Sequence, residues 1–211
     1  MEWIDLTVPL KEGMPNYPGD QPFRLRPLLR IAEGKVCNLS AIEMGTHTGT
    51  HVDPPWHFIP DGATVDQLSL DLLIGRAYVV SVRGVPAVTA DALQAAGIPG
   101  DAERLLIQTD NSFGVWEKPD FQPDFVYLAP DAAEWIVSRG IQLVGIDYLS
   151  VEQFRAPEPR AHRTLLGAGI IIVEGLNLRE LEPGWVRFIC LPLRIEGVDG
   201  APARAVARRL E

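Results

Sequence analysis

The 211 residues contain four histidines, His47, His51, His57 and His162. Three of them stand in one short segment, His47-Thr48-Gly49-Thr50-His51-Val52-Asp53-Pro54-Pro55-Trp56-His57-Phe58. Imidazoles and a carboxylate at this density are donors suited to a divalent cation. A lone histidine beside a strand is ordinarily a satisfied polar or surface residue. Three with an aspartate are not explained that way, because burial side by side without a cation would leave their lone pairs unsatisfied. A donor set of imidazole and carboxylate without thiolate favours zinc or manganese and does not choose between them.

The spacing His-x-x-x-His suggests a helix in zinc proteases. Here the intervening residues are Thr, Gly and Thr, all poor helix formers, and two prolines follow. An extended chain does better, since it turns positions 47, 51 and 53 to one face. Fully extended, 47 and 51 would lie roughly 13 Å apart, too far to share an ion bonded at about 2 Å. A bend at Gly49 is therefore expected, and Pro54-Pro55 leave the direction of His57 open.

His162 lies in Arg160-Ala161-His162-Arg163-Thr164, ahead of the turn Gly167-Ala168-Gly169 and the apolar run Ile170–Val173, which ends in Glu174-Gly175. Taken singly, Glu174 reads as the point where a buried strand meets water, and His162 as an ordinary polar residue. Together they would supply a second metal site or complete the first. Gly167-Ala168-Gly169 lacks the third glycine of a dinucleotide loop and precedes a strand where that motif opens a helix. Gly-x-Ser-x-Gly is absent, so a serine-hydrolase elbow has no support. Cys37 shows no local sign of activation.

The elements that must carry these residues are short. Ile4–Val8 reads as a strand, and Pro15–Pro22 as an irregular loop imposed by proline. Helices are expected over 66–74, over 89–97 with Thr89 as cap and Gly97 as stop, and over Pro130–Arg139 before Gly140. Val- and Ile-rich runs at Tyr78–Val82, Leu105–Gln108, Phe125–Leu128, Leu143–Ile146, Ile170–Val173 and Arg187–Leu193 read as buried strands. The pattern implies an α/β chain, a mixed sheet or flattened barrel with outer helices, in one domain over residues 1–211.

Composition bounds the function. With 46% apolar and 22% charged residues and a mean hydropathy of +0.05, the chain is neither disordered nor fibrous. A net charge of −9 and no basic stripe argue against a nucleic-acid partner. No apolar run approaches the roughly 20 residues that span a bilayer, and the first residues lack the build of a signal peptide. Cys37 and Cys190 lie far apart with no metal spacing. A cytoplasmic, reduced protein is expected.

Residues 47–58 fit the pattern His-x-Gly-Thr-His-x-Asp-x-Pro-x-His-Phe at every fixed position. Tyr17-Pro18-Gly19-Asp20, Val144-Gly145-Ile146-Asp147 with Ser150, the pair His162 and Glu174, and Ile189–Leu193 with Asp199-Gly200-Ala201-Pro202-Ala203-Arg204 extend the likeness through most of the chain. The sequence thereby resembles the metal-dependent cyclase/hydrolase family that includes bacterial kynurenine formamidase and isatin hydrolase. The resemblance implies a swivelling β/β/α fold. It implies a first metal on His47, His51 and Asp53, a second on Asp53, His162 and Glu174, and His57 as catalytic acid/base. Tyr17, Trp56 and Phe58 become candidate substrate-pocket aromatics. The resemblance also implies a homodimer or homotetramer, with the N-terminal loop able to reach a neighbour's site, and a small-molecule amide as substrate.

N-formylkynurenine is the leading candidate substrate, with lactams such as isatin, other aryl amides and uncharacterised cyclic substrates behind it. Glu174 leans towards the formamidases, which carry Glu there and two zinc ions; isatin hydrolase is manganese-dependent with an amide side chain at that place. Asn16-Tyr17-Pro18 and Tyr148-Leu149 depart from the formamidase pattern. A degenerate metal-binding or regulatory module, or a metal sensor or storage protein, is the non-enzymatic alternative. His57, a spare histidine beside the ligands, counts against it.

Overall fold

The computed structural model describes residues 2–210. In chain order the elements are β1 (Ile4–Asp5), β2 (Arg24–Leu29), β3 (Leu39–Glu43), β4 (His51–Asp53), α1 (Leu70–Leu73), β5 (Ile74–Ser81), β6 (Ala87–Val88), α2 (Ala90–Ala95), β7 (Arg104–Gln108), β8 (Tyr127–Leu128), α3 (Pro130–Ser138), β9 (Leu143–Ile146), α4 (Arg160–Gly167), β10 (Ile171–Glu174), β11 (Gly184–Pro192) and β12 (Ala201–Arg209). Strands β12-β11-β5-β7-β9-β10-β4 follow one another in a mixed sheet, and a further β12–β4 pairing closes it into a barrel. β5, β7, β9 and β10 run parallel; the remaining barrel pairs are antiparallel. β12 divides one edge between β4, at Ala201 and Pro202, and β1, at Val206 and Ala207. Closure removes the exposed sheet edge that an open arrangement would present.

The period of two along each strand sorts side chains into two cores. Leu106, Leu143, Ile171, Val173, Val186 and Phe188 fill the barrel. Leu105, Ile107, Val144, Ile146 and Ile172 point outward against the helices, where Leu93 of α2, Ile136 of α3 and Leu165 of α4 meet them. Gly145 is required by this crowding: a Cβ there would lie 2.7 Å from Leu106 Cδ2 and 2.8 Å from Leu176 Cδ1.

Local signals hold where tertiary demands agree with them. Thr89 Oγ1 accepts from the Ala92 N–H, and Gly97 and Gly140 take positive φ, as helix stops do. Residues 66–74 depart from the expected helix. They form a 3-10 turn at Val65–Gln67 and the single turn α1, and Ile74 already pairs with Ile189 in the barrel. The Ile4–Val8 strand is regular only at β1, with Thr7 bridging to Leu176. The expected strand Phe125–Leu128 shortens to β8, because Phe125 turns into a cluster with Tyr148 and Leu149. Among the described residues no helix is long and apolar enough to cross a membrane.

Candidate metal centre

The centre forms where β4, β10 and α4 meet. β4 and β10 pair in a register that sets Glu174 opposite His51 and Ile172 opposite Asp53. Residues 47–50 are a turn, with Gly49 at φ +68, so the expected bend lies where the spacing required it. That bend brings the His47 ring to within 5.0 Å of the His51 ring, centroid to centroid. Gly175, at φ +69, lets β10 approach this turn: a Cβ there would lie 2.0 Å from the Gly49 carbonyl oxygen. Thr50 Oγ1 ties the two segments, donating to Gly175 O at 2.6 Å.

Asp53 and Glu174 are buried, as are His51 and His162. Glu174 is therefore not the solvated strand end that its sequence position suggests when read alone. His162 lies on α4, an element that the sequence reading does not place. Its helical signal is the apolar set Ala161, Leu165 and Leu166, which packs on the barrel. Asp147 fixes the loop between β9 and α4, accepting from Thr109 N, Thr109 Oγ1 and Ser112 N at 2.7, 2.7 and 3.1 Å. The same loop presents Val151 N–H to Glu174 Oε1 at 2.6 Å and so sets that carboxylate's direction.

Within the centre, His47 Nδ1 lies 2.8 Å from Asp53 Oδ1, and His47 Nε2 lies 3.0 Å from Asp199 Oδ2. His51 Nε2 is 3.4 Å from Asp53 Oδ1 and 3.3 Å from Glu174 Oε2. His162 Nε2 is 3.3 Å from Glu174 Oε1 and 3.8 Å from Asp53 Oδ2. On its other side, His162 Nδ1 stands 3.5 Å from Glu152 Oε2, an atom that also accepts the Ala161 and His162 N–H groups opening α4. Asp199 and Glu152 escape the sequence reading as site residues. Their one signal is sequence position, beside Gly200 and shortly before α4. Gly200 leaves room for the His47 ring, whose Cε1 would be 2.6 Å from a Cβ there.

The His51 ring shows why this arrangement fits a cation. Its Nδ1 lies 2.9 Å from the Gly49 carbonyl and donates to it. In the neutral ring Nε2 is then a lone pair, aimed at two carboxylates that offer only lone pairs. His51 Nε2 and Asp53 Oδ2 are accordingly buried without a hydrogen-bond partner. A cation resolves both, and the nitrogen and oxygen donors suit a divalent transition metal. Among the described residues three sets of donors fall close enough to share an ion, His47-His51-Asp53, Asp53-His57-His162 and His47-His57-Asp199.

Without metal, protons take that place. Burial opposes charge on His47, but Asp53 and Asp199 outweigh it and raise its pKa to about 9. His162 rises to about 10 against the same cost of burial, through Glu152, Glu174 and Asp53. Burial would raise Asp53; His51 and His47 overcome it and hold the carboxyl well below the usual range. His57 goes the other way. Burial and the neighbouring His47 and His162 lower its pKa, against the pull of Asp53 and Glu174. It stays neutral at neutral pH, half-buried, its ring stacked on His47 at 4.1 Å between centroids.

A cavity of about 300 Å³ opens over the centre, at the small end of ligand sites. Tyr17, His57, Phe58, Leu149 and Ser150 are in its wall with the ligand candidates. Phe58 stacks on His162 at 4.4 Å, and Tyr17 meets Phe121 and Phe154 edge-on. Trp56 departs from expectation. The 3-10 turn Pro55–His57 sends His57 inward and turns Trp56 outward, 41% exposed and outside the cavity wall.

The family described as putative cyclase matches residues 4–153. Kynurenine formamidase of Geobacillus thermodenitrificans is 37% identical over 209 residues, 99% of this chain and 98% of its own. A solved structure of a predicted metal-dependent hydrolase from Bacillus stearothermophilus matches with a TM-score of 0.84 at 32% identity, covering 98% of this chain and 97% of its own. Isatin hydrolase A from Ralstonia solanacearum matches with a TM-score of 0.82 at 26% identity, over 98% of this chain and 91% of its own.

Proposed function

Because the chain belongs to the putative cyclase family, we propose that it is a metal-dependent amidohydrolase that converts N-formylkynurenine and water to kynurenine and formate. The observation that carries this reading is the pair His51 Nε2 and Asp53 Oδ2, both buried without hydrogen-bond partners, with His51 Nε2 3.4 Å from Asp53 Oδ1 and Asp53 Oδ2 3.8 Å from His162 Nε2, beside a small cavity. The full-length likeness to a kynurenine formamidase supports the substrate. His47, His51 and Asp53 would hold one ion, and Asp53, His162 and Glu174 would hold a second, Asp53 being common to both sets. Zinc is the proposed metal, as one or two ions, and manganese the alternative.

A divalent cation bound there would lower the pKa of water from 15.7 towards about 7 and polarise the substrate carbonyl. The chain's own residues do the rest. His57, neutral and facing the cavity, takes a proton from the attacking water at its free imidazole nitrogen. It then returns that proton to the leaving aryl amine as the C–N bond breaks. Asp53 and Glu174, buried and ionised, fix the ligand imidazoles in place. Phe58 and Tyr17 wall the space above and keep bulk water from the reacting carbon.

The test is a comparison of N-formylkynurenine with isatin as substrates of the zinc- and manganese-loaded protein. Preferential turnover of the formamide is expected. Isatin turnover alone would replace this reading with a lactam hydrolase, which the isatin hydrolase likeness favours.

A second copy of the chain is the proposed macromolecular partner. The β2–β3 hairpin pairs Leu25 with Ile42 and Leu29 with Leu39. Leu25, Leu28, Leu39 and Ile42 are all more than two-fifths exposed, apolar side chains on this two-stranded ribbon that association would cover. Sedimentation velocity showing a dimer or tetramer is expected; a monomer would contradict it.

A further inference from the structure

The cavity wall contains one permanent cation. Arg155 lines it on the loop between β9 and α4, beside Gln153, Ala156 and Pro159. The other ionisable groups there are carboxylates, Tyr17 and the histidines of the centre. Among the described residues Arg155 has no carboxylate partner, although the chain carries a net charge of −9 and seven of its other arginines are in ion pairs. Its guanidinium carbon lies 5.1 Å from the centroid of Phe154, and Phe154 packs edge-on against Tyr17 of the same wall.

The backbone sharpens the point. Arg155 sits at φ +58, the only non-glycine with positive φ among the described residues. Ala156 N–H donates to the Gln153 carbonyl at 3.0 Å, so Arg155 is the third residue of a β-turn. A turn with positive φ there calls for glycine or asparagine, which adopt it at little cost. Stability alone would have placed glycine. A long cationic side chain stands there instead, without a carboxylate partner, as the cavity wall's one permanent cation.

We propose that Arg155 is a specificity-determining residue that receives a carboxylate on the substrate, remote from the hydrolysed amide. This rests on the amidohydrolase reading and narrows it: the site prefers an acyclic amide bearing an anionic end to a neutral cyclic one. The planar fork of a guanidinium suits such a carboxylate. Local positive charge also offsets the repulsion that an acidic protein exerts on an anion.

The experiment compares the zinc-loaded wild type, R155Q and R155K on two formamides. One is N-formylkynurenine; the other is N-formyl-2-aminoacetophenone, which keeps the aryl formamide and lacks the amino-acid end. In R155Q the ratio of kcat/KM for the carboxylate-bearing over the carboxylate-free substrate should fall by about tenfold or more, the size of a lost charge-assisted hydrogen bond. The fall should come through KM, should shrink at high salt, and should be partly rescued in R155K. A ratio unchanged within about twofold in R155Q overturns the proposal. A wild type that hydrolyses neither formamide overturns the amidohydrolase reading of these substrates instead, and the proposal with it.

Discussion

His57 separates from the other three histidines by its surroundings rather than its type. His47 and His162 each sit between carboxylates and hold protons to about 9 and about 10. Burial, with His47 and His162 beside it, lets His57 lose its proton more readily than usual, against the pull of Asp53 and Glu174. That contrast suits His57 to acid/base work. His57→Ala should retain metal and lose about 10²- to 10⁴-fold in kcat, the range for general acid/base help. Metal content by atomic absorption and steady-state kinetics check both halves, and full activity in the variant would refute the role. Asp53→Ala should lose metal and activity together, because Asp53 faces His47, His51 and His162 at once.

The turn at 47–50 and the end of β10 form a single device. Gly49 and Gly175 both take positive φ, and the Gly175 Cα faces the Gly49 carbonyl so closely that no side chain fits. Gly175→Ala should therefore cost about 3 kcal/mol or more in stability and weaken metal binding, since the contact also sets Glu174 against His51. Chemical denaturation with and without zinc reads both effects. How far the sequence foretells these elements follows the same logic. The bend at Gly49 was legible because two ligands spaced four apart cannot meet along an extended chain. α2 and α3 were legible from their caps, stops and apolar period. β12 was not, because its buried residues, Ala201, Ala205 and Ala207, favour strands only through their partners on β11, β4 and β1. Asp199, quoted only within the C-terminal likeness, and Glu152 were not legible as site residues for a related reason: neither is near His47 or His162 in a recognisable spacing, and only barrel closure and the start of α4 bring them in. The 47–53 ligand candidates were legible because histidine is scarce and three of the four share one short segment, whereas His162 and Glu174, ordinary when taken singly, stood out as ligands chiefly through the family resemblance.

Closing the barrel buries an acidic centre that must be neutralised, and pH reports what neutralises it. With His47 and His162 titrating near 9 and 10, both hold protons at pH 7, and a metal must displace them. Binding should release about two protons near neutrality, so that apparent affinity rises about a hundredfold per pH unit until the histidines deprotonate. Calorimetry in buffers of differing ionisation enthalpy counts them; an affinity independent of pH would show that these rings are not ligands. The whole account stands on one claim, that this carboxylate–imidazole centre binds a divalent cation on which amide hydrolysis depends. The most direct measurement is turnover of N-formylkynurenine by chelator-stripped protein as zinc is titrated back. The account predicts no turnover when stripped and recovery that saturates at one or two ions per chain, with Asp53→Ala failing to recover. Undiminished turnover by the stripped protein, or stoichiometric zinc binding with no hydrolysis of formamide or lactam, would contradict it.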